Sequence, residues 1–285
     1  SSGTRSIAVG DQFAMTITKK VLTDVEDVIP VKATAAELNT GTDDAKFATA
    51  LALSGSDGWQ AANQTWTYAT ADAPTFTITV PSGAASIYSV GMRIKLTQTT
   101  VKYFIITAVA DTVLTVYGGT DYTLANAAIS ANFYSTQKAP LGFPLNPAVW
   151  TVTTTNTGNN SQASPTADTW YNLGAVTISI PIGVWNVGYH GVAQANITGT
   201  SIDAELTLST ANNSESDVLT SSHGQFIGAS GALYVLQTLS RFFVLTVASK
   251  TSYYLNTQTT TASASGIANR GDVVTTMIRA ICAYL

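Results

Sequence analysis

From Gly174 to Ile197 the chain reads GAVTISIPIGVWNVGYHGVAQANI, a pattern that leaves little choice of fold. Val176, Ile178, Ile180 and Ile182 alternate with Thr177, Ser179 and Pro181. An extended strand with this spacing puts four apolar side chains on one face and small ones on the other. After Gly183, Trp185, Val187 and Tyr189 alternate with Asn186, Gly188 and His190. A second strand is therefore predicted to run back from a Pro-x-Gly corner as a hairpin, with its large residues on the same side. The pair reads as the edge of an antiparallel sandwich.

The same reading extends along the chain. Phe76, Ile78 and Val80 alternate with threonines, and Met92, Ile94 and Leu96 alternate with Arg93 and Lys95. Tyr103-Phe104-Ile105-Ile106 and Val113-Leu114-Thr115-Val116 flank the hairpin signal Ala110-Asp111-Thr112. Residues 59–144 are thus expected to form a small, partly closed β-barrel of about four or five strands. Residues 145–168, with the aperiodic, nearly uncharged TVTTTNTGNNSQASPT, read as a linker. Residues 169–285 then supply further strands at Ala204–Leu208, Gly231–Leu239, Arg241–Ala248, Ser252–Thr257 and Val273–Leu285, enough for a two-sheet jelly-roll sandwich.

Residues 1–58 differ. They hold the clustered acids Asp24, Glu26, Asp27, Glu37, Asp43 and Asp44, and Thr34-Ala-Ala-Glu37 matches a capping box. Asp43-Asp44 precede Phe47, Ala50 and Leu51, a pattern for another short helix. Helices this short need packing partners, so the segment is expected to be a docking connector, ending in the flexible Ser54-Gly-Ser-Asp-Gly58.

Only 11% of residues are charged, and the net charge is −4. No basic tract is present to hold a phosphate backbone, so nucleic acid is not an expected partner. No apolar run approaches the roughly 18 residues that cross a bilayer, and the N-terminus shows no apolar signal-peptide core, so a soluble chain without membrane insertion is expected. The single cysteine, Cys282, sits in an apolar terminal strand and reads as a buried inert thiol. Stability then has to come from elsewhere, and subunit association is the expected source.

Chemistry is sparse. Phosphate loops, paired-histidine metal motifs and four-cysteine zinc patterns are missing from the sequence. His190 and His223 are far apart in sequence, and His190 reads as a structural histidine. Asp203 and Glu205, two apart on a strand, share one face, the geometry of a glycosidase pair or a calcium site. A solvated strand edge explains them more simply. Arg270-Gly271-Asp272 reads as a tight turn rather than an adhesion tripeptide. No catalytic residue, metal or cofactor is expected, and the chain does not read as an enzyme.

Two resemblances follow. VTISIPIGVWNVGYHGVAQANI, with ELTLSTANNSE, RFFVLTVASKTSYYLNT and the terminal VVTTMIRAICAYL, resembles the strand series of C1q-like and TNF-like jelly rolls, which implies a homotrimeric head. AAELNTGTDDAKFATALAL is similar to a stretch recurring in tail fibres and appendages of bacteriophages. VGMRIKLTQTTVKYFIITAVADTVLTV with APLGFP resembles a module of phage tail and neck appendages. Together these imply a trimeric virion protein that attaches to the host cell surface. Its N-terminal segment would bind other tail, neck or capsid proteins, and its head would contact a host glycan or protein. Asn212, Asn213, Tyr253 and Tyr254 are the candidate contact residues, since amides and aromatic rings suit sugars. The alternatives are a capsid or neck decoration fibre, a polysaccharide depolymerase using Asp203 and Glu205, and a secreted C1q-like adhesin.

Overall fold

Strands dominate the computed structural model, which describes residues 31–41 and 45–285 and, for residues 54, 200 and 228–234, the backbone alone. The chain divides after Asp57 into two units. In the first, the capping box forms as expected at α1 (Ala35–Thr40): the Thr34 hydroxyl accepts from the Glu37 N–H, and the Glu37 carboxylate accepts from the Thr34 N–H at 2.8 Å. Gly41, at φ 61°, ends the helix in the left-handed conformation that glycine adopts freely. The hydrogen bond from Lys46, then those from Thr34, hold the Glu37 carboxyl down to about 2. The next helix, α2 (Ala50–Ser54), starts later than the acidic pair predicts, because Thr49 is its cap. Asp24, Glu26, Asp27, Asp43 and Asp44 lie outside the described residues. Val31, Leu51 and Leu53 are exposed.

The second unit, Gly58–Leu285, holds two antiparallel sheets. The first consists of β1 (Gln60–Ala61), β2 (Thr67–Asp72), β3 (Thr75–Thr79), β4 (Arg93–Gln98), β5 (Thr100–Ala110), β6 (Val113–Tyr117) and β7 (Ser130–Ser135), in the order β1-β7-β4-β5-β6-β3-β2. Alternate residues Phe76, Ile78, Ile94, Leu96, Phe104, Ile106, Leu114 and Val116 fill one core. No ladder joins β1 to β2 among the described residues, so these seven strands, more than the four or five expected, are not joined into a ring. Tyr88, just after the short α3 (Ala84–Ile87), meets Trp66 at 5.9 Å and Tyr134 of β7 at 5.4 Å, both edge-on.

The second sheet holds β8 (Thr151–Asn156), β9 (Asn159–Ala163), β10 (Thr177–Ile180), β11 (Gly183–Ser209), β12 (Ser221–Val247), β13 (Thr251–Gln258), β14 (Ala264–Arg270) and β15 (Thr276–Cys282). It corrects the sequence reading in three places. First, the segment expected to be a linker supplies β8 and β9, which pair with β15 and β14. Its threonines and asparagines alternate between covered and exposed positions without an apolar stripe. Second, β10 and β11 are not a hairpin: β10 pairs with β13, and β11 with β12. Gly183, at φ 133°, turns the chain away, and the Trp185 indole locks the corner by donating to Pro181 O at 2.8 Å. The apolar face holds at Val176, Ile178, Ile180, Trp185, Val187 and Tyr189, which are all buried, but breaks at the corner, where Ile182 is only half-buried and Pro181 is buried instead. Third, the strand expected after Gly183 and those expected at Ala204–Leu208, Gly231–Leu239 and Arg241–Ala248 are parts of two long ones, β11 and β12, paired from Gly183↔Val247 to Thr207↔Ser221, whereas those expected at Ser252–Thr257 and Val273–Leu285 fall on β13 and β15.

This ribbon folds back on itself near Gly199–Ser201, where the register shifts. Along its other edge, β11 pairs in turn with β15, β14 and β13. The two halves share a core in which Trp185 and Val187 meet Ile202, Ala204 and Leu206. The Tyr189 hydroxyl reaches the carbonyls of Leu206 at 3.0 Å and Thr220 at 2.7 Å. Gly224 lies under the amide of Gln237 from the same strand, where a Cβ would meet the Gln237 side chain at 1.6 Å.

The two sheets of this unit also share that core. Tyr117 of β6 meets Trp185 edge-on at 5.0 Å, and Trp150 stacks on Phe143 at 5.1 Å. Beside them the buried Arg93 guanidinium donates to the carbonyls of Gly91 (2.6 Å), Lys138 (3.1 Å) and Tyr284 (2.8 Å) and lies over the Phe143 ring. Cys282 is buried here, and desolvation pushes its thiol up to about 11. Truncating Trp185 to alanine is expected to cost about 3–5 kcal/mol. Because the core is common, both sheets of residues 58–285 should unfold in one transition. Urea melts followed by fluorescence and by circular dichroism would then coincide, whereas two separated midpoints would contradict a shared core.

Candidate functional site

The residues expected to touch a ligand are only partly brought together. Asn212 and Asn213 lie in the exposed turn between β11 and β12, and Tyr254 pairs with Ser209 at the end of β11 next to that turn. Tyr253 points the other way and packs against the core, and burial raises its phenol pKa. Asn213 is a structural keystone of the turn. At φ 57°, it accepts the Asn172 N–H at 2.6 Å through Oδ1, and its own N–H donates to Asn256 Oδ1 at 3.2 Å. The fully buried Asn256 amide in turn donates to the carbonyls of Ala211 (3.0 Å) and Ser214 (2.7 Å). Asn212 and Tyr254 are therefore presented on a rigid support.

Asp203 and Glu205 correct the expectation of a solvated edge. Their part of β11 runs between β12 and β13, and Asp203 is only 4% exposed. Three consecutive threonines hold its carboxylate: the Thr261 hydroxyl donates at 2.6 Å, the Thr260 N–H at 3.0 Å and the Thr259 hydroxyl at 3.2 Å. Desolvation alone would raise its pKa, but these donors outweigh it and hold the carboxyl below its ordinary value. Glu205 is flanked in register by His223 of β12 and Gln258 of β13. His223 Nδ1–H donates to one carboxylate oxygen at 2.7 Å, and Gln258 Nε2–H donates to the other at 2.6 Å. Sequence reasoning found the acidic pair but not the histidine, whose partnership depends on the register of a long-range ladder.

Other features account for motifs seen in the sequence. The Arg270 guanidinium grips Asp272 with two bonds of 2.7 and 2.8 Å, so the tripeptide spends its charges on itself. A Cβ on Gly271 would lie 2.3 Å from Asn156 O, so only glycine fits there. His190 Nε2 is 2.8 Å from Thr275 O.

Two surface grooves were not legible beforehand. A groove of 380 Å³ runs over Gly188, between Phe242 and Val244 of β12 and Arg279 and Ile281 of β15. Phe242 is 81% and Val244 63% exposed. A polar groove of 470 Å³ in the first sheet is lined by Asn63, Gln64, Thr65, Ser130 and Asn132 beside Phe133, and Asn132 carries a buried Oδ1 with no hydrogen-bond partner. An uncharged amide lining with a ring at its side is a surface that can hydrogen-bond and stack on a sugar.

Replacing Asn213 with alanine removes the acceptor for the Asn172 N–H and leaves a non-glycine residue in the left-handed region. The expected loss is about 1–3 kcal/mol, read from the urea midpoint, with the fold retained. An unchanged midpoint would mean that the turn does not depend on this residue.

No protein-family model matches the chain, and no curated protein matches it. A solved structure of infectious bursal disease virus, Gx strain, is similar at 14% identity and a TM-score of 0.20, over 79% of this chain and 61% of that one. The chain thus spans less than two thirds of that structure's length, and at that score the likeness carries no argument about fold or function.

Proposed function

We propose that this chain is a structural subunit of a bacteriophage virion appendage, assembled as a homotrimer, that attaches the particle to the host cell surface. The observation that carries the reading is the apolar outer face of the second sheet. β12 pairs only with β11 among the described residues, and Phe242 and Val244 project from it into solvent, with Leu236 partly exposed on the same face. A flat apolar face next to an unpaired strand edge is a liability in an isolated chain, and burial against further copies removes it. The resemblance to phage appendage sequences and to trimeric jelly-roll heads gives the symmetry and the setting.

In this reading the N-terminal unit docks on other virion proteins, and the exposed Val31, Leu51 and Leu53 are apolar anchors for that contact. Host contact falls to Asn212, Tyr254 and the amide-lined groove around Asn132. Each such contact is weak for a sugar, and three per trimer, multiplied over several appendages, sum to firm attachment. Binding rather than catalysis is favoured because the Asp203 carboxylate is buried and committed to Thr259, Thr260 and Thr261, which leaves it poorly placed to exchange protons with a polysaccharide.

Light scattering on the purified chain should give the mass of three chains, and Phe242→Glu should lower that mass while the fold is kept. A monomeric wild-type chain at micromolar concentration would refute the trimer. The purified protein should also bind host cells and block infection by the intact phage. A decoration fibre would leave infection unchanged, and that result would overturn the attachment role.

A further inference from the structure

We infer that Asp203, Glu205 and His223 form a binding site for a divalent transition-metal ion, with zinc as the ion that best matches the donors. The inference rests on these side chains alone and is independent of the appendage reading. One donor atom from each residue lies within 4.8 Å of the other two. The three come from neighbouring positions on two adjacent strands: Asp203 and Glu205 share a face of β11, and His223 stands directly across from Glu205 on β12. A tetrahedral zinc ion holds oxygen and nitrogen donors at about 2.0–2.2 Å, which places them roughly 3–3.5 Å from one another. His223 Nδ1 and Glu205 Oε1 stand 2.7 Å apart, and the His223 side chain, 51% exposed, is free to adjust around an ion.

Donor chemistry selects the ion. Two carboxylates and one imidazole suit zinc and its first-row neighbours, whereas calcium prefers six to eight oxygens and gains little from a histidine. The carboxylates are held ready. Thr259, Thr260 and Thr261 fix Asp203 from one side, and the Gln258 amide fixes Glu205 from the other. Donors oriented in this way, by groups that do not themselves touch the metal, are what tune metal affinity in proteins.

A second observation points to a ligand. Gln258 is 8% exposed, and its amide head stands against the Glu205 carboxylate through Nε2. The other corner of that same amide, Oε1, is buried with no donor. A buried acceptor left empty is costly, because it has given up its hydrogen bonds to water without replacement. A metal ion carrying a bound water supplies the missing donor at the edge of the cluster. On binding, the ion takes the place of the proton on His223 Nδ1, which passes to solvent while the ring carries its N–H at Nε2, so the Glu205–His223 hydrogen bond is replaced by two bonds to one metal.

The test is calorimetric titration of the full chain, free of any histidine tag, with zinc chloride and in parallel with calcium chloride. One zinc per chain is expected. Replacing His223 with alanine should weaken zinc at least tenfold, and so should Glu205→Gln, each with an unchanged circular dichroism spectrum. His190→Ala, which alters the other histidine, should bind as the wild type does. The proposal fails if zinc does not bind at about 1 mM, if calcium binds more tightly than zinc, if His223→Ala keeps the wild-type affinity, or if His190→Ala loses it.

Discussion

Everything in residues 58–285 depends on the aromatic junction between the two sheets. Tyr117 against Trp185, with Trp150 stacked on Phe143, fills the space where the first sheet meets the second. Each of these rings buries a large area, and their offset and edge-on contacts add to that burial. Arg93 completes the junction in an unusual way. Its charge is buried beside the rings and solvated by three carbonyls from turns that flank the strands, Gly91 before β4, Lys138 after β7 and Tyr284 after β15. A cation in that position is tolerable only while all three carbonyls stay where they are, so it couples the geometry of β4 to the last residues of the chain.

The β11–β12 ribbon carries the surfaces. Folding it back near Gly199–Ser201 buries apolar side chains from both halves in one core, and it also decides what the outside presents. The half paired with β15 turns Phe242 and Val244 outward over Gly188. The half paired with β13 places Glu205 between His223 and Gln258. One continuous pair of strands thus bears an apolar face at one end and a polar, donor-rich cluster at the other.

Much of this was legible in the residues because period-two alternation is a local property. It located β3 to β6, β10, the opening of β11 and β13, and it named Trp185, Val187 and Tyr189 correctly as core. It failed where a strand has no apolar stripe to show. β8 and β9 are built mainly of threonine, asparagine and serine, and β14 has Ile267 as its one large apolar residue, so ladders distant in sequence make them strands. It also broke the long strands apart, since Gly191, Gly199, Gly224 and Gly231 interrupt the pattern that defines a strand. In the polar cluster, the acidic pair was visible because i and i+2 share a face. His223 was not, because its neighbour is set by register, and register in turn depends on the fold of the whole ribbon.

The Arg93 contact bears on how this protein can be recombined. A boundary drawn in the sequence near residue 145 looks like a seam between two modules, and a natural or engineered exchange would be tempted to cut there. The guanidinium of the first sheet, however, ends on the carbonyl of Tyr284. A graft that brought in a different second sheet would leave this buried cation with only the Gly91 and Lys138 carbonyls of its three acceptors. Inheritance should therefore pass residues 58–285 on as one block, and sequence drift around Tyr284 should be restrained by backbone position more than by side-chain identity.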